Sequence, residues 1–261
     1  MSTATQAAPV GSLLREWRTR RRISQLELSS ETGVSTRHLS FIETGRSRPS
    51  RDMVMRLAEY LELPLRERNA LLLAAGYAPE YAQTPLSAES MRDVRRSLQA
   101  LVDAHQPCPA MAVDHGWNLV LANDVAFALV EGIPDELMTD PINVMRLLFH
   151  PDGMRNRIVD FDTYGAHLLH RLHRQLRATG DSAIRALISE LETYPGVAPF
   201  RGSTFPIAPV LRMRLADGGP ILSFFTIVST LGTPYDVTLD EIAIESFFPA
   251  DEATATAIGM K

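Results

Sequence analysis

The chain has 261 residues, 45% of them apolar and 22% charged, with 17 Pro, 15 Gly and one Cys. That composition fits one large globular domain or two small ones. No apolar run reaches the roughly 18–20 residues of a membrane span, and the opening MSTATQAAPVGS lacks the charged start and apolar core of a signal peptide. Cys108, alone between two prolines, excludes an internal disulfide and a multi-thiolate zinc site. A cytoplasmic address is expected.

Taken whole, the net charge of −5 argues against a phosphate-binding surface. Divided near residue 78, the charge reads differently. Residues 1–78 hold 12 Arg against 8 acidic residues, net +4, and residues 79–261 hold 13 Arg and Lys261 against 23 acidic residues, net −9. Opposite signs predict two domains with different partners. Lys261 is the only lysine, so the other cations are guanidinium forks able to grip phosphate or guanine at two points.

In chain order, Ser12 is expected to cap a first helix carrying Leu13, Leu14, Trp17 and a basic rim, Arg18 to Arg22. Ser24 and Glu27 form a capping box for a second helix that stops at Gly33. Ser35 caps a third, with Leu39 and Ile42 on one face, ending at Gly45. A fourth follows Pro49-Ser50, with Met53, Leu57 and Leu61 at helical spacing. The fifth runs from Leu65 to Ala75, between Pro64 and Gly76. Residues 76–83, GYAPEYAQ, read as a linker that two Tyr can dock, and Met91, Val94, Leu98, Leu101 and Val102 mark an amphipathic helix that ends before Pro107.

Beyond it, residues 110–123 read as a hairpin turning at His115-Gly116. Helices fill 124–192, most clearly Thr163–Thr179 and Ser182–Leu191. Strands return at Val210–Leu215, at Ile221–Leu231 after the Asp217-Gly218-Gly219 turn, and at Val237–Phe248. Leu211, Met213 and Leu215 alternate with Arg212 and Arg214, and Ile242 and Ile244 with Glu241 and Glu245, so Arg–Glu pairing across strands is expected. Strands, helices, then strands predict an α+β domain with an antiparallel sheet. The expected division is therefore 1–78, an all-α five-helix domain; 79–106, a linker and connecting helix; and 107–261, the α+β domain.

The segment SQLELSSETGVSTRHLSFIE, Ser24 to Glu43, has the geometry of a helix-turn-helix. Gly33 supplies the left-handed turn position, and Leu28, Val34, Leu39 and Ile42 fix the helix crossing. Thr36, Arg37, His38, Ser40 and Phe41 then face the DNA groove. Residues 13–76 resemble the Cro/CI-type (XRE) helix-turn-helix family in the spacing of Ser24-Gln25, Glu27-Leu28, Gly33-Val34-Ser35, Leu39-Ser40, Ile42-Glu43 and Gly45. The resemblance implies double-stranded DNA as partner, with Gln25, Ser35 and Arg46 on phosphate and Thr36 and Arg37 at base edges. Arg37 is the natural guanine reader, since its fork matches O6 and N7.

The remaining residues show little chemistry. His167, His170 and His173 share one helix arc but are interleaved with Leu and Arg, and read as boundary histidines rather than metal ligands. None of the phosphate-loop, nucleophile-elbow, zinc-protease or dinucleotide motifs is present. No enzyme activity, metal or cofactor is expected. A sheet with helices over it does offer an apolar pocket, with Trp117, Leu119, Leu121, Phe127, Phe149, Met213, Phe225, Ile227 and Ile244 as candidate lining and His150, Arg155 and Arg157 as a polar end for a carboxylate.

Residues 107–252 resemble the MmyB-like ligand-binding domain of bacterial regulators, through WNLVLAN at 117–123, LLFHPDGMR at 147–155, YPGV at 194–197 and the long run at 222–251. The resemblance implies a PAS-like fold and a small lipophilic, fatty-acid-like ligand. It also implies action at the nucleoid of a bacterial cytoplasm. The expected protein is a homodimeric regulator whose operator binding answers to that ligand; the alternative is a constitutive DNA-binding protein whose second domain dimerises or recruits a partner.

Overall fold

The computed structural model describes residues 9–198, 209–215 and 218–260. Asp217 of the expected turn lies outside them. Contacts divide the chain into two units, one of residues up to Thr84 together with Thr233–Asp240, the other of Pro85–Gly232 and the residues from Glu241 onward.

The first unit contains α1 (Val10–Arg20), α2 (Gln25–Thr32), α3 (Thr36–Glu43), α4 (Arg51–Tyr60), α5 (Leu65–Ala74) and a late helical turn, α11 (Val237–Asp240). The first helix begins before Ser12. Pro9 is its N-cap, and the Pro9 carbonyl already accepts from the amides of Ser12 and Leu13. Ser24, Ser35 and Ser50 cap the next three helices, Ser24 in the reciprocal arrangement with Glu27. Leu14, Trp17, Leu28, Leu39, Ile42, Leu57 and Leu72 share one core. Gly11 lies so near the end of α3 that a Cβ there would stand 2.1 Å from the Ile42 carbonyl oxygen. The expected linker is docked: Tyr77 donates to the Pro49 carbonyl, and Asn69 bonds the backbone of Glu80 and Tyr81.

The second unit carries α6 (Arg92–Asp103), β1 (Ala110–Val113), β2 (Leu119–Ala122), α7 (Asp124–Leu129), α8 (Val144–Phe149), α9 (Phe161–Thr179), α10 (Ser182–Leu191), β3 (Val210–Arg214), β4 (Ile221–Thr230), β5 (Ala243–Pro249) and α12 (Glu252–Ala257). The strands form one antiparallel sheet in the order β2-β1-β5-β4-β3, the antiparallel sheet with flanking helices that the sequence predicts. Residues of α8, α9 and α10 bury one sheet face around Phe149, Leu169, Leu172 and Ile184, and this core continues to Met213, Phe224 and Phe247. Outside those clusters, α6 packs on β1 and β2, and α12 on β4 and β5.

Three expectations need correction. The last strand starts at Ala243, because Val237–Asp240 is a helical turn belonging to the other unit. Leu101, assigned to the buried side of α6, is exposed, and Leu98 and Val102 do the packing. Arg–Glu pairing between β3 and β5 cannot form, because β4 lies between them. Glu245 instead turns inward to Arg171 of α9 at 2.7 Å, and Arg171 stacks over Trp117.

Candidate functional sites

In the helix-turn-helix, local sequence dictates the frame. Glu27 and Ser24 exchange hydrogen bonds at the start of α2, and Gly33 ends it at φ +70°. Val34 is buried, and Ser35 accepts the His38 amide at the start of α3. With Leu39, Ile42 and Glu43 of α3 buried, the helical repeat turns Thr36, Arg37, Ser40 and Phe41 outward. Phe41 is a platform between two cations: the Arg37 guanidinium lies 5.4 Å and that of Arg46 6.0 Å from its ring centre. This stacking pre-orders two flexible donors on one surface.

The other expected contact residues are partly engaged within the protein. Thr36 donates to Ser29, and a ring nitrogen of His38 lies 3.2 Å from the Ser47 hydroxyl. Gln25 donates its amide to Glu43 at 2.7 Å. Glu43 is the residue that sequence reasoning missed. Its carboxylate takes Gln25 on one side and a two-point contact from Arg18 at 2.6 and 2.9 Å on the other, so α1, α2 and α3 meet at one buried anion. The pair with Glu43 holds Arg18 charged even more firmly than a free guanidinium. The expected basic rim is therefore largely structural. Arg18 serves Glu43, Arg21 donates to the Leu61 and Glu62 carbonyls, and Arg20 pairs with Glu16.

The second unit contains a partly open cavity of about 90 Å³ whose walls are apolar. Met111, Leu119 and Met213 from the sheet, Phe127 from α7, Met138 from the following loop and Leu148 from α8 are among its lining residues. Of the candidate pocket residues, Leu119, Phe127 and Met213 line this cavity. Trp117 lies instead in the α9–α10 core with its indole N–H on Gln175, and Phe149 packs edge-on against Phe161. Phe225, Ile227 and Ile244 alternate with Phe224 and Glu245 and belong to the opposite sheet face, as does Leu121.

The proposed polar end is dispersed. His150 meets the Tyr194 ring, Arg155 donates to the Pro195 carbonyl, and Arg157 donates to the carbonyls of Leu129 and Glu131. Only Arg157 thereby touches a segment of the cavity wall. Among the described residues no group of three or more His, Cys, Asp or Glu is placed to hold a metal ion. No helix among them is long and apolar enough to cross a membrane.

A helix-turn-helix with a two-arginine platform, joined to a helix-covered sheet bordering an apolar cavity, defines a DNA-binding transcription regulator. Comparison with known families gives the particular kind. The helix-turn-helix family matches residues 14–68, and the MmyB-like transcription regulator ligand binding domain matches residues 94–259, so the chain belongs to the MmyB-like regulators. These are domains of a transcription regulator, not of an enzyme family. No curated protein matches. Among solved structures, one titled "Structure of an RNA-binding Light-Oxygen-Voltage Receptor" is 14% identical over 95% of this chain, with a TM-score of 0.31, and the chain covers 62% of that receptor's length.

Proposed function

We propose that the chain is a cytoplasmic, ligand-responsive regulator that binds a pseudo-palindromic operator as a homodimer, with a lipophilic effector entering the cavity of the second unit. The apolar cavity is the observation that carries this reading. At about 90 Å³ it is small, and its walls offer almost no polar group to hold water. A small-molecule pocket needs about 300 Å³ or more, so an acyl chain must widen it. The wall facing α7 is suited to that. Neither α7 nor the turn at Asp135–Leu137 has a fully buried residue, and Met138 and Met154 on the wall are unbranched and adaptable. With no charged residue among the lining, a carboxylate head would stay at the rim, where Arg157 bonds the carbonyl of Leu129 in the wall.

Within the dimer, Phe225 and Ile227 offer an exposed apolar face beside Phe248, which stacks on Phe225. The small volume favours a second reading, a constitutive DNA-binding protein whose second unit only associates. Native mass spectrometry of protein purified from its own host separates the two. The sensing reading expects a dimer carrying a lipophilic molecule of a few hundred daltons; repeated recovery of unliganded protein favours the constitutive one.

A further inference from the structure

The connection between β4 and β5 is part of the DNA-binding unit, although both strands it joins belong to the sheet of the other. Its contacts there are specific. Val237 is buried and donates its amide to the Ala82 carbonyl at 2.8 Å. The Asp236 carboxylate accepts the Thr84 amide at 3.1 Å and the Thr238 amide at 2.9 Å. Asp240 accepts the amide of Leu65, the first residue of α5, at 3.2 Å. Helix α5 needs this, because its own N-cap is Pro64, which has no side-chain acceptor. The missing cap is supplied from 175 positions along the chain, and as a carboxylate at a helix N-terminus it also suits the dipole.

From the same strap, β5 leads directly into the cavity wall. Phe247, which lines the cavity, is seven residues beyond Asp240, and residues 243–247 between them are strand, paired with β4 from Ala243 onward. A strand held in register by both neighbours does not absorb displacement as a loop does. We propose that Asp236 and Asp240 form a strap that makes the start of α5 depend on the position of β5, so that the state of the cavity reaches the DNA-binding helices through the backbone of one strand. This inference rests on the reading of the second unit as the sensor, but its test does not require the effector.

The test is hydrogen exchange of the full-length protein, read by mass spectrometry. In Asp236→Ala/Asp240→Ala the amides at the start of α5, Leu65 to Arg68, should exchange at least tenfold faster than in the wild type, with β1 and β2 unchanged as the control for folding. Asp240→Asn, which keeps an acceptor, should restore most of the protection. Phe247→Leu should then raise exchange at those α5 amides at least threefold in the wild-type background and have no further effect in the double-alanine background. Unchanged α5 exchange in the double-alanine protein, or a Phe247→Leu effect that survives there in full, overturns the strap. Operator titration with decanoate is a separate measurement: no response to decanoate would tell against the lipid reading and leave the exchange result to decide the strap.

Discussion

Arg18 on α1 and Glu43 on α3, 25 positions apart, meet in a two-point ion pair at 2.6 and 2.9 Å, with the Glu43 side chain only 2% exposed. Such a pair is weak evidence of net stability, but breaking it by removing one partner leaves a buried charge, at a cost of about 3–5 kcal/mol. Arg18→Ala or Glu43→Ala should therefore destabilise the helical unit by that order, and Arg18→Met/Glu43→Leu by much less. Trp17 is buried in this unit, so its fluorescence in a Trp117→Phe background follows urea unfolding of the unit alone. Equal losses for single and double variants would show that the pair is not the organising contact.

Phe41 between Arg37 and Arg46 makes a distinct prediction. Arg37→Ala should weaken operator binding by about 1–3 kcal/mol and relax preference at one base pair, whereas Arg46→Ala should weaken all sequences alike and lower the salt slope by about one. Fluorescence anisotropy over a salt series with single-position operator variants reads both. A uniform loss for Arg37→Ala would reassign it to phosphate.

The cavity predicts the effect of filling it. Ala126 lines the space, and Leu there adds three carbons to a void of about 90 Å³, so Ala126→Leu should change stability by less than about 1.5 kcal/mol while abolishing uptake of a lipophilic probe. Calorimetric titration with decanoate checks uptake, and thermal unfolding checks stability. Undiminished uptake would place the ligand elsewhere.

Glu190 sets a pH dependence in the second unit. Hydrogen bonds from Arg146 at 2.7 and 2.8 Å hold its carboxyl below the usual range against the opposing effect of burial, and Tyr194 donates a further bond at 3.0 Å. Burial, with the same contact added, pushes the Tyr194 hydroxyl up to about 12. Unfolded, the Glu190 carboxyl titrates near 4.3. Between that value and the lower folded one, the unfolded chain binds more protons, so this stabilisation is present above about pH 5 and is lost as pH falls through the folded value. Because the pair is half exposed to solvent, the expected loss is only about 0.2–1 kcal/mol. Urea unfolding of wild type and Arg146→Ala between pH 3 and 6 should converge at the acid end; curves that stay parallel would contradict it.

Association is tested at the exposed sheet face. Ile227→Glu should convert a dimer to a monomer in light scattering while leaving the sheet folded. A dimer that persists would move the interface away from Phe225 and Ile227.

Local signals in the sequence were sufficient for the helix-turn-helix. Ser24, Glu27, Gly33 and Ser35 act within one turn of where they stand, so capping and glycine rules locate α2 and α3 directly. Contacts that depend on tertiary closure left no such trace. Nothing near Glu43 in the sequence points to Arg18 until α1 brings the two together, and Asp240 reads as strand until the N-terminus of α5 is found to lack a cap. The pocket residues were harder still. Alternation separates the two faces of a strand, but with helices packed on both sides it does not say which face lines a void, so by sequence Leu119 and Met213 fall together with Phe225 and Ile227.

The central claim is that occupancy of the cavity controls DNA binding. The most direct measurement is the affinity of the full-length protein for an operator selected from random duplexes, with and without saturating decanoate or the molecule recovered from its host. Two half-sites about 10–10.5 base pairs apart are expected, with at least a tenfold change in Kd, about 1.4 kcal/mol of coupling, that disappears in Ala126→Leu. An unchanged Kd with the probe demonstrably bound would contradict it.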